Sequence, residues 1–318
     1  MARPYLSTTA VVLEKPQRLV LSVLPLPEIG NDDVVVDIEW SGISTGTERL
    51  LWSGRMPMFP GMGYPLVPGY ESVGRVTEAG PSADKQVGDR VFVPGARCFG
   101  EIKGLFGGAA SRLVVPSPRA WRLDDALGEQ GVLFALAATA HHAIAAQGAR
   151  LPDLIVGHGV LGRLIARLAL LQDGDPPVVW ETNPVRALGA EGYNVIDPAS
   201  DQRRHYQSIY DVSGDAGLLN SLISHLAPQG EIVLAGFYSE PLSFAFPPAF
   251  MKEARIRVAA EWREADMRAV RDLVEDGLLS LDGLITHRAN ATDAASAYDT
   301  AFNDPLCLKM ILDWRTCS

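Results

Sequence analysis

Cysteine is scarce, with only Cys98, Cys307 and Cys317 among 318 residues. An odd number at wide spacings fits neither a disulfide framework nor a paired-cysteine zinc site, so three reduced thiols are expected. Charge is sparse as well, at 21% of residues, and its balance is acidic: 28 Lys and Arg against 38 Asp and Glu give −10. That balance argues against a nucleic-acid partner held by phosphate neutralisation. Long apolar runs are missing. The most apolar stretch, residues 132–146, is interrupted by Thr139, His141 and His142 and falls short of the roughly 20 residues a spanning helix needs, so no membrane span is expected. The opening MARPYLSTTAVVLEK lacks the apolar core of a secretory leader, and a cytoplasmic location is the expectation. Internal repeats and low-complexity tracts are also lacking.

What is present is 47% hydrophobic residues, material for two cores in a chain about two average domains long. Up to about residue 123, short apolar runs (9–13, 34–38, 73–76, 90–93, 111–115) alternate with Gly, Pro and Asp clusters, the pattern of a small barrel or sandwich. Beyond residue 124, apolar runs at 154–156, 178–180, 193–196, 209–212 and 232–235 are separated by mostly helix-length segments. That is the rhythm of a doubly wound parallel sheet, so the fold class is α/β. A helix over 264–275, a strand near 284–286, a helix over 293–302 and a strand over 306–312 close the chain.

The sharpest motif is LIVGHGVLG. Gly157, Gly159 and Gly162 keep the G-x-G-x-x-G spacing directly after a strand and at the start of a helical pattern. The first glycine permits a tight turn, the second lets backbone approach a pyrophosphate and the third lets helix pack on strand. Glu181 ends the next strand, where a carboxylate accepts from adenosine ribose hydroxyls and repels a 2′-phosphate, which favours NAD. Arg186 is set aside as an NADP signal because it falls inside an expected helix over 184–189. The cofactor contacts expected are Gly157, His158, Gly159, Val160, Leu161, Gly162, Glu181, Thr182, Ser213 and Gly236. The His158 side chain is read as facing solvent near the phosphates. His141 and His142, adjacent on one helix, point about 100° apart and are assigned no metal role.

The stretches SGISTGTE, VPGYESVGRV and VGDRVFV, the glycine loop, and LITHR with DAASAY together resemble the medium-chain dehydrogenase/reductase superfamily over essentially the whole chain. The resemblance implies a GroES-like β-barrel catalytic domain over residues 1–127, a Rossmann domain over 128–264 and a segment over 265–318 returning to the catalytic domain. Zinc-dependent members carry Cys, His and Cys where Ser44, Tyr70 and Ala135 stand here, and Cys98 alone remains of the region that holds their structural zinc. A zinc-free member with no metal ligands is implied.

Within the superfamily, the run STGTERLLWSGRMPMFPGMGYPLVPGYESVG resembles the branch that oxidises a hydroxyethyl group of a magnesium tetrapyrrole to acetyl. This implies a small-molecule pigment substrate, NAD, a site of action at the periphery of photosynthetic membranes, and a homodimer of the kind common in the superfamily. Residues 50–64, broken by Gly and Pro after Trp52, read as a loop. In it Trp52, Met56, Phe59 and Tyr64 would face a flat macrocycle and Arg49 a propionate, unless the loop packs on the core instead. The proton acceptor is expected among Ser44, Thr45, Thr47, Tyr70 and Glu71, with burial tuning Glu71 toward a general base. The alternative for Glu71 is a structural carboxylate paired with an arginine, and for Tyr70 a wall residue. Two other functions stay open: a zinc-free quinone or enone reductase, which would prefer NADPH, and a non-catalytic nucleotide-binding protein.

Overall fold

β-branched residues recur in the first strands, and the computed structural model, which describes residues 6–317, pairs them into two sheets. In chain order these are β1 (Ser7–Lys15), β2 (Arg18–Pro25), β3 (Asp33–Ile43), helix α1 (Thr47–Ser53), β4 (Leu66–Val67), β5 (Ser72–Ala79), β6 (Arg90–Val93), β7 (Lys103–Gly104), β8 (Arg112–Pro116) and β9 (Trp121–Arg122). There follow α2 (Phe134–Ile144), β10 (Leu154–Val156), α3 (Val160–Leu170), β11 (Val178–Trp180), β12 (Asn194–Ile196), β13 (Tyr206–Asp211), α4 (Leu219–His225), β14 (Leu226–Leu234), α5 (Phe246–Met251), β15 (Arg255–Val258) and α6 (Glu264–Glu275). Last come β16 (His287–Asn290), α7 (Ala294–Asn303) and β17 (Met310–Asp313). The chain divides into two units, residues up to 135 with 284 onward, and residues 136–283.

The first unit is organised on β3. One edge of β3 pairs with β5; along the other, β8 pairs with 33–37 and β17 with 40–43, all antiparallel. Without β17 half of that edge would expose unpaired backbone groups, which is why the chain must return here. Val34, Val35 and Val36 are fully buried on this spine. A second sheet runs β2-β1-β4-β7. The return begins at residue 284, later than the expected 265, because α6 belongs to the second unit. There Asp266 accepts from His141 and His142 of α2, each through Nδ1 at 2.8 Å.

The second unit is a six-stranded parallel sheet in the order β12-β11-β10-β13-β14-β15. Leu154, Ile155, Ile209, Tyr210, Ile232 and Val233 are fully buried, as continuous apolar strands of a covered parallel sheet should be. Strands are added outward in one direction from β10 to β12 and in the other from β13 to β15, so the topological switch point lies between β10 and β13. The helix expected over 184–189 is instead a single turn. Asn183 Oδ1 caps the Val185 amide at 2.9 Å, and Gly189 at φ 77° ends the turn before helical bonds can propagate. Among the described residues no helix is long and apolar enough to cross a membrane.

Candidate active site

After Ile43 the chain leaves β3, turns through Ser44, Thr45 and Gly46, and enters α1. The turn places Ser44 Oγ 2.5 Å from Tyr70 Oη, and the Thr47 hydroxyl also bonds Tyr70. Three of the expected hydroxyls therefore form one cluster, with Thr45 half-buried in the same turn. The Tyr70 ring packs edge-on against Phe106, centroids 5.4 Å apart. Burial, reinforced by the charge of Glu71, pushes the Tyr70 phenol above its ordinary range, so it remains a neutral donor and acceptor.

Glu71 departs from the expected general base. Its carboxylate is fully buried and accepts from Lys309 Nζ at both oxygens, 2.9 and 2.7 Å. Lys309, 2% exposed, also donates to the Ile43 carbonyl at 3.3 Å. Burial pushes the Glu71 carboxyl above its ordinary range, with the ammonium opposing the rise. The geometry is that of a structural ion pair, with a lysine where an arginine was expected, and both carboxylate oxygens are occupied by the ammonium rather than turned toward a substrate.

Glu48 was not expected. It is fully buried in the first turn of α1. One oxygen accepts the Ser44 amide at 3.0 Å and the other the Tyr298 hydroxyl of α7 at 2.6 Å. Burial pushes its pKa up to about 7, with the Glu71 charge adding to the rise and the Ser44, Tyr298 and Lys309 contacts opposing it. The sequence signals were present but faint: an acid opening a short helix, and a single lysine in the apolar run LCLKMIL.

This donor set does not fit zinc. Ser44 and Tyr70 offer neutral hydroxyls already bonded to each other, and Ala135 offers no donor, whereas zinc takes thiolate, imidazole or carboxylate ligands. Among the described residues, no group of three His, Cys, Asp or Glu could hold a metal ion.

The segment over 50–64 differs from the expected loop, since α1 carries its first residues through Ser53. Met56 is buried in a cluster with Leu13, Leu50, Leu51, Leu66 and Leu105, which removes it from the substrate-facing set. Trp52 packs on Phe302 with centroids 5.9 Å apart. Phe59 and Tyr64 lie half-buried against the Met56 cluster, and the Tyr64 hydroxyl donates to the Leu51 carbonyl. Arg49 is exposed. Packing on the core, the alternative reading, describes most of this segment.

In the second unit, the glycine loop follows β10 at the switch point. Gly157 takes φ 105°, a conformation L side chains rarely adopt, and a Cβ on Gly162 would overlap the Gly157 carbonyl oxygen. A Cβ on Gly159 would meet nothing within 4 Å, so the space above the loop is open. Val160, Leu161 and Gly162 form the first turn of α3, whose amides face that space with the positive end of the helix dipole. Glu181 accepts the His158 amide at 3.1 Å and the Asn183 amide at 2.8 Å, and Thr182 beside it is exposed. Ser213 and Gly236 follow β13 and β14, both tied to Asp211: the Ser213 hydroxyl donates to its carboxylate at 2.6 Å and the Gly236 amide to its carbonyl at 3.0 Å. These residues fit a dinucleotide.

His158 is corrected. Its side chain is fully buried, with Nδ1 2.6 Å from the Arg186 carbonyl and Nε2 2.8 Å from the Tyr193 hydroxyl. Burial holds its pKa down, to about 4. A neutral imidazole donates at Nδ1 to the carbonyl and accepts at Nε2 from the hydroxyl, so His158 contributes its backbone to the loop and its buried ring to the interior.

Residues 30–125 match the alcohol dehydrogenase GroES-like domain. The 2-desacetyl-2-hydroxyethyl bacteriochlorophyllide A dehydrogenase of Rhodobacter capsulatus is 59% identical over 98% of this chain and 99% of its own. That of Cereibacter sphaeroides is 61% identical over 97% and 98%. The acetophenone reductase of Geotrichum candidum in complex with NAD superposes with a TM-score of 0.83 at 18% identity, covering 98% of each chain, a likeness of fold. On the full-length similarity, the chain belongs to the 2-desacetyl-2-hydroxyethyl bacteriochlorophyllide A dehydrogenase family of medium-chain dehydrogenases.

Proposed function

We propose that this chain oxidises the hydroxyethyl group of a bacteriochlorophyllide or chlorophyllide to acetyl, a step of bacteriochlorophyll biosynthesis, with NAD as hydride acceptor and without zinc. The observation that carries the reading is full-length similarity near 60% identity to two relatives named for that pigment. When bound, the nicotinamide accepts the hydride. The open face at Gly159 and the first-turn amides of α3 receive the pyrophosphate, and Glu181 receives the ribose hydroxyls while repelling a 2′-phosphate.

Oxidation also releases a proton. Tyr70, Ser44 and Thr47 each donate one hydrogen bond and accept others, so a proton taken from the alcohol at Tyr70 is matched by one released to water from the partly exposed Thr47. Tyr70, half-buried and therefore reachable, is the member that orients the alcohol oxygen. The alcohol carbon adjoins a conjugated macrocycle that spreads positive character as hydride departs, which lowers the demand for a Lewis acid. Tyr70→Phe should reduce kcat by roughly 100-fold with little change in pigment KM. Near-normal turnover in Tyr70→Phe would move the relay elsewhere.

We place the enzyme in the cytoplasm, at the periphery of photosynthetic membranes where such pigments collect. A homodimer is supported by the exposed Phe246, Phe250, Met251 and Val258 on α5 and the sheet-edge strand β15, a patch that a second copy would cover. Sedimentation as a monomer at micromolar concentration refutes it.

A further inference from the structure

The turn that replaces the helix after β11 is short, and few of its carbonyls are satisfied within it. One buried cation collects them. Arg163 lies one residue beyond Gly162 on α3 and is 7% exposed. Its Nε donates to the His158 carbonyl at 3.1 Å, Nη1 to Gly189 at 3.1 Å, and Nη2 to Arg186 at 2.9 Å and Leu188 at 2.7 Å. The planar guanidinium fork thus ties the glycine loop to the far end of the turn over 183–189. His158 adds a second tie, its ring held between the Arg186 carbonyl and the Tyr193 hydroxyl. Between the two tied segments hangs the Glu181 carboxylate, with one oxygen on the His158 amide and the other on the Asn183 amide. Any shift of the turn relative to the loop must break one of those bonds and swing the carboxylate.

We propose that Arg163 is a positioning residue for nucleotide selection, holding Glu181 where it accepts a ribose 2′-hydroxyl and excludes a 2′-phosphate. The inference rests on the NAD reading above. A helix in this place would fix its own carbonyls internally; here the fixation falls mainly to one side chain, which makes four of the ties, and so does the geometry of the specificity acid. Arg163 lies behind the loop rather than in front of it, so its charge is spent on carbonyl dipoles.

The test needs no turnover. ADP-ribose and its 2′-phosphate are titrated by calorimetry into the parent chain and into Arg163→Met, which keeps length and loses all four bonds. The parent should prefer ADP-ribose by tenfold or more, and the variant should weaken ADP-ribose by roughly tenfold while weakening the 2′-phosphate much less, so that the ratio narrows to a few-fold. Arg163→Lys, with charge but no fork, should fall between. Loss of both ligands by the same factor is what a merely structural residue gives, and it overturns the proposal. If Arg163→Met does not fold, Arg163→Lys, which keeps the charge and loses the fork, carries the test alone: it should narrow the ratio in the same direction, and an unchanged ratio there overturns the proposal. A parent chain with no preference refutes the NAD reading and this inference with it, whereas a parent and variants that discriminate alike refute only the role of Arg163.

Discussion

Glu48, Glu71 and Lys309 are two carboxyls and one ammonium sealed from water in one place. Lys309 is committed to Glu71, so Glu48 is the group that keeps its proton, to about pH 7 in the folded chain against 4.5 for a free carboxyl. Between those values the folded state binds more protons than the unfolded one, and stability falls as pH rises. Glu48→Gln, neutral at every pH, should remove the share of that slope that Glu48 carries. In urea unfolding between about pH 5 and pH 7.5 the parent should lose on the order of 2–3 kcal/mol relative to the variant, and parallel pH dependences would contradict the assignment. The sequence exposed Ser44, Tyr70 and Thr47 because a resemblance pointed to their positions. It concealed Glu48 and Lys309, since nothing in a linear order says which acid a buried lysine will meet 238 residues away. His158 was misjudged for a related reason: a polar residue in a glycine loop reads as solvated until Tyr193 and the Arg186 carbonyl come round to it.

Elements with a strong period were legible. The apolar strands β10 and β11 and the amphipathic α6 stand where their patterns placed them, with α6 matching its expected span over 264–275, while β13 and β14 overlap their expected runs but begin three and six residues earlier. Weakly patterned elements were not. α1 is only seven residues, Thr47–Ser53, and its apolar positions continue into Gly and Pro breaks that resemble a loop, so tertiary packing rather than propensity decides its state. The expected 184–189 helix failed in the opposite sense, stopped by Asn183 and Gly189 after one turn. The packing of α1 carries a consequence for Trp52. With its ring on Phe302, Trp52→Ala should lower unfolding stability by about 2–3 kcal/mol and leave pigment KM within about twofold. A pigment KM raised tenfold with stability intact would restore Trp52 to the substrate surface.

For the whole molecule, the proposed division of labour is that one unit supplies a hydroxyl cluster, at the positions where the resemblance puts metal ligands in zinc-dependent members, and the other a glycine loop with Glu181 at the end of the next strand. Composition and rhythm were enough to indicate both units, and the resemblance pointed to the candidate sites. The boundary at 284 was hidden because it depends on Asp266 reaching His141 and His142 across the fold. The central claim is metal-independent oxidation of a hydroxyethyl pigment by NAD, and it is tested most directly by one absorption experiment. The purified chain, exhaustively chelated, is mixed with hydroxyethyl bacteriochlorophyllide a and NAD, and the spectrum is followed in time. Acetyl formation extends the conjugation, so the red band should move to longer wavelength in step with the appearance of NADH. A spectrum that stays unchanged until zinc is restored would contradict the account.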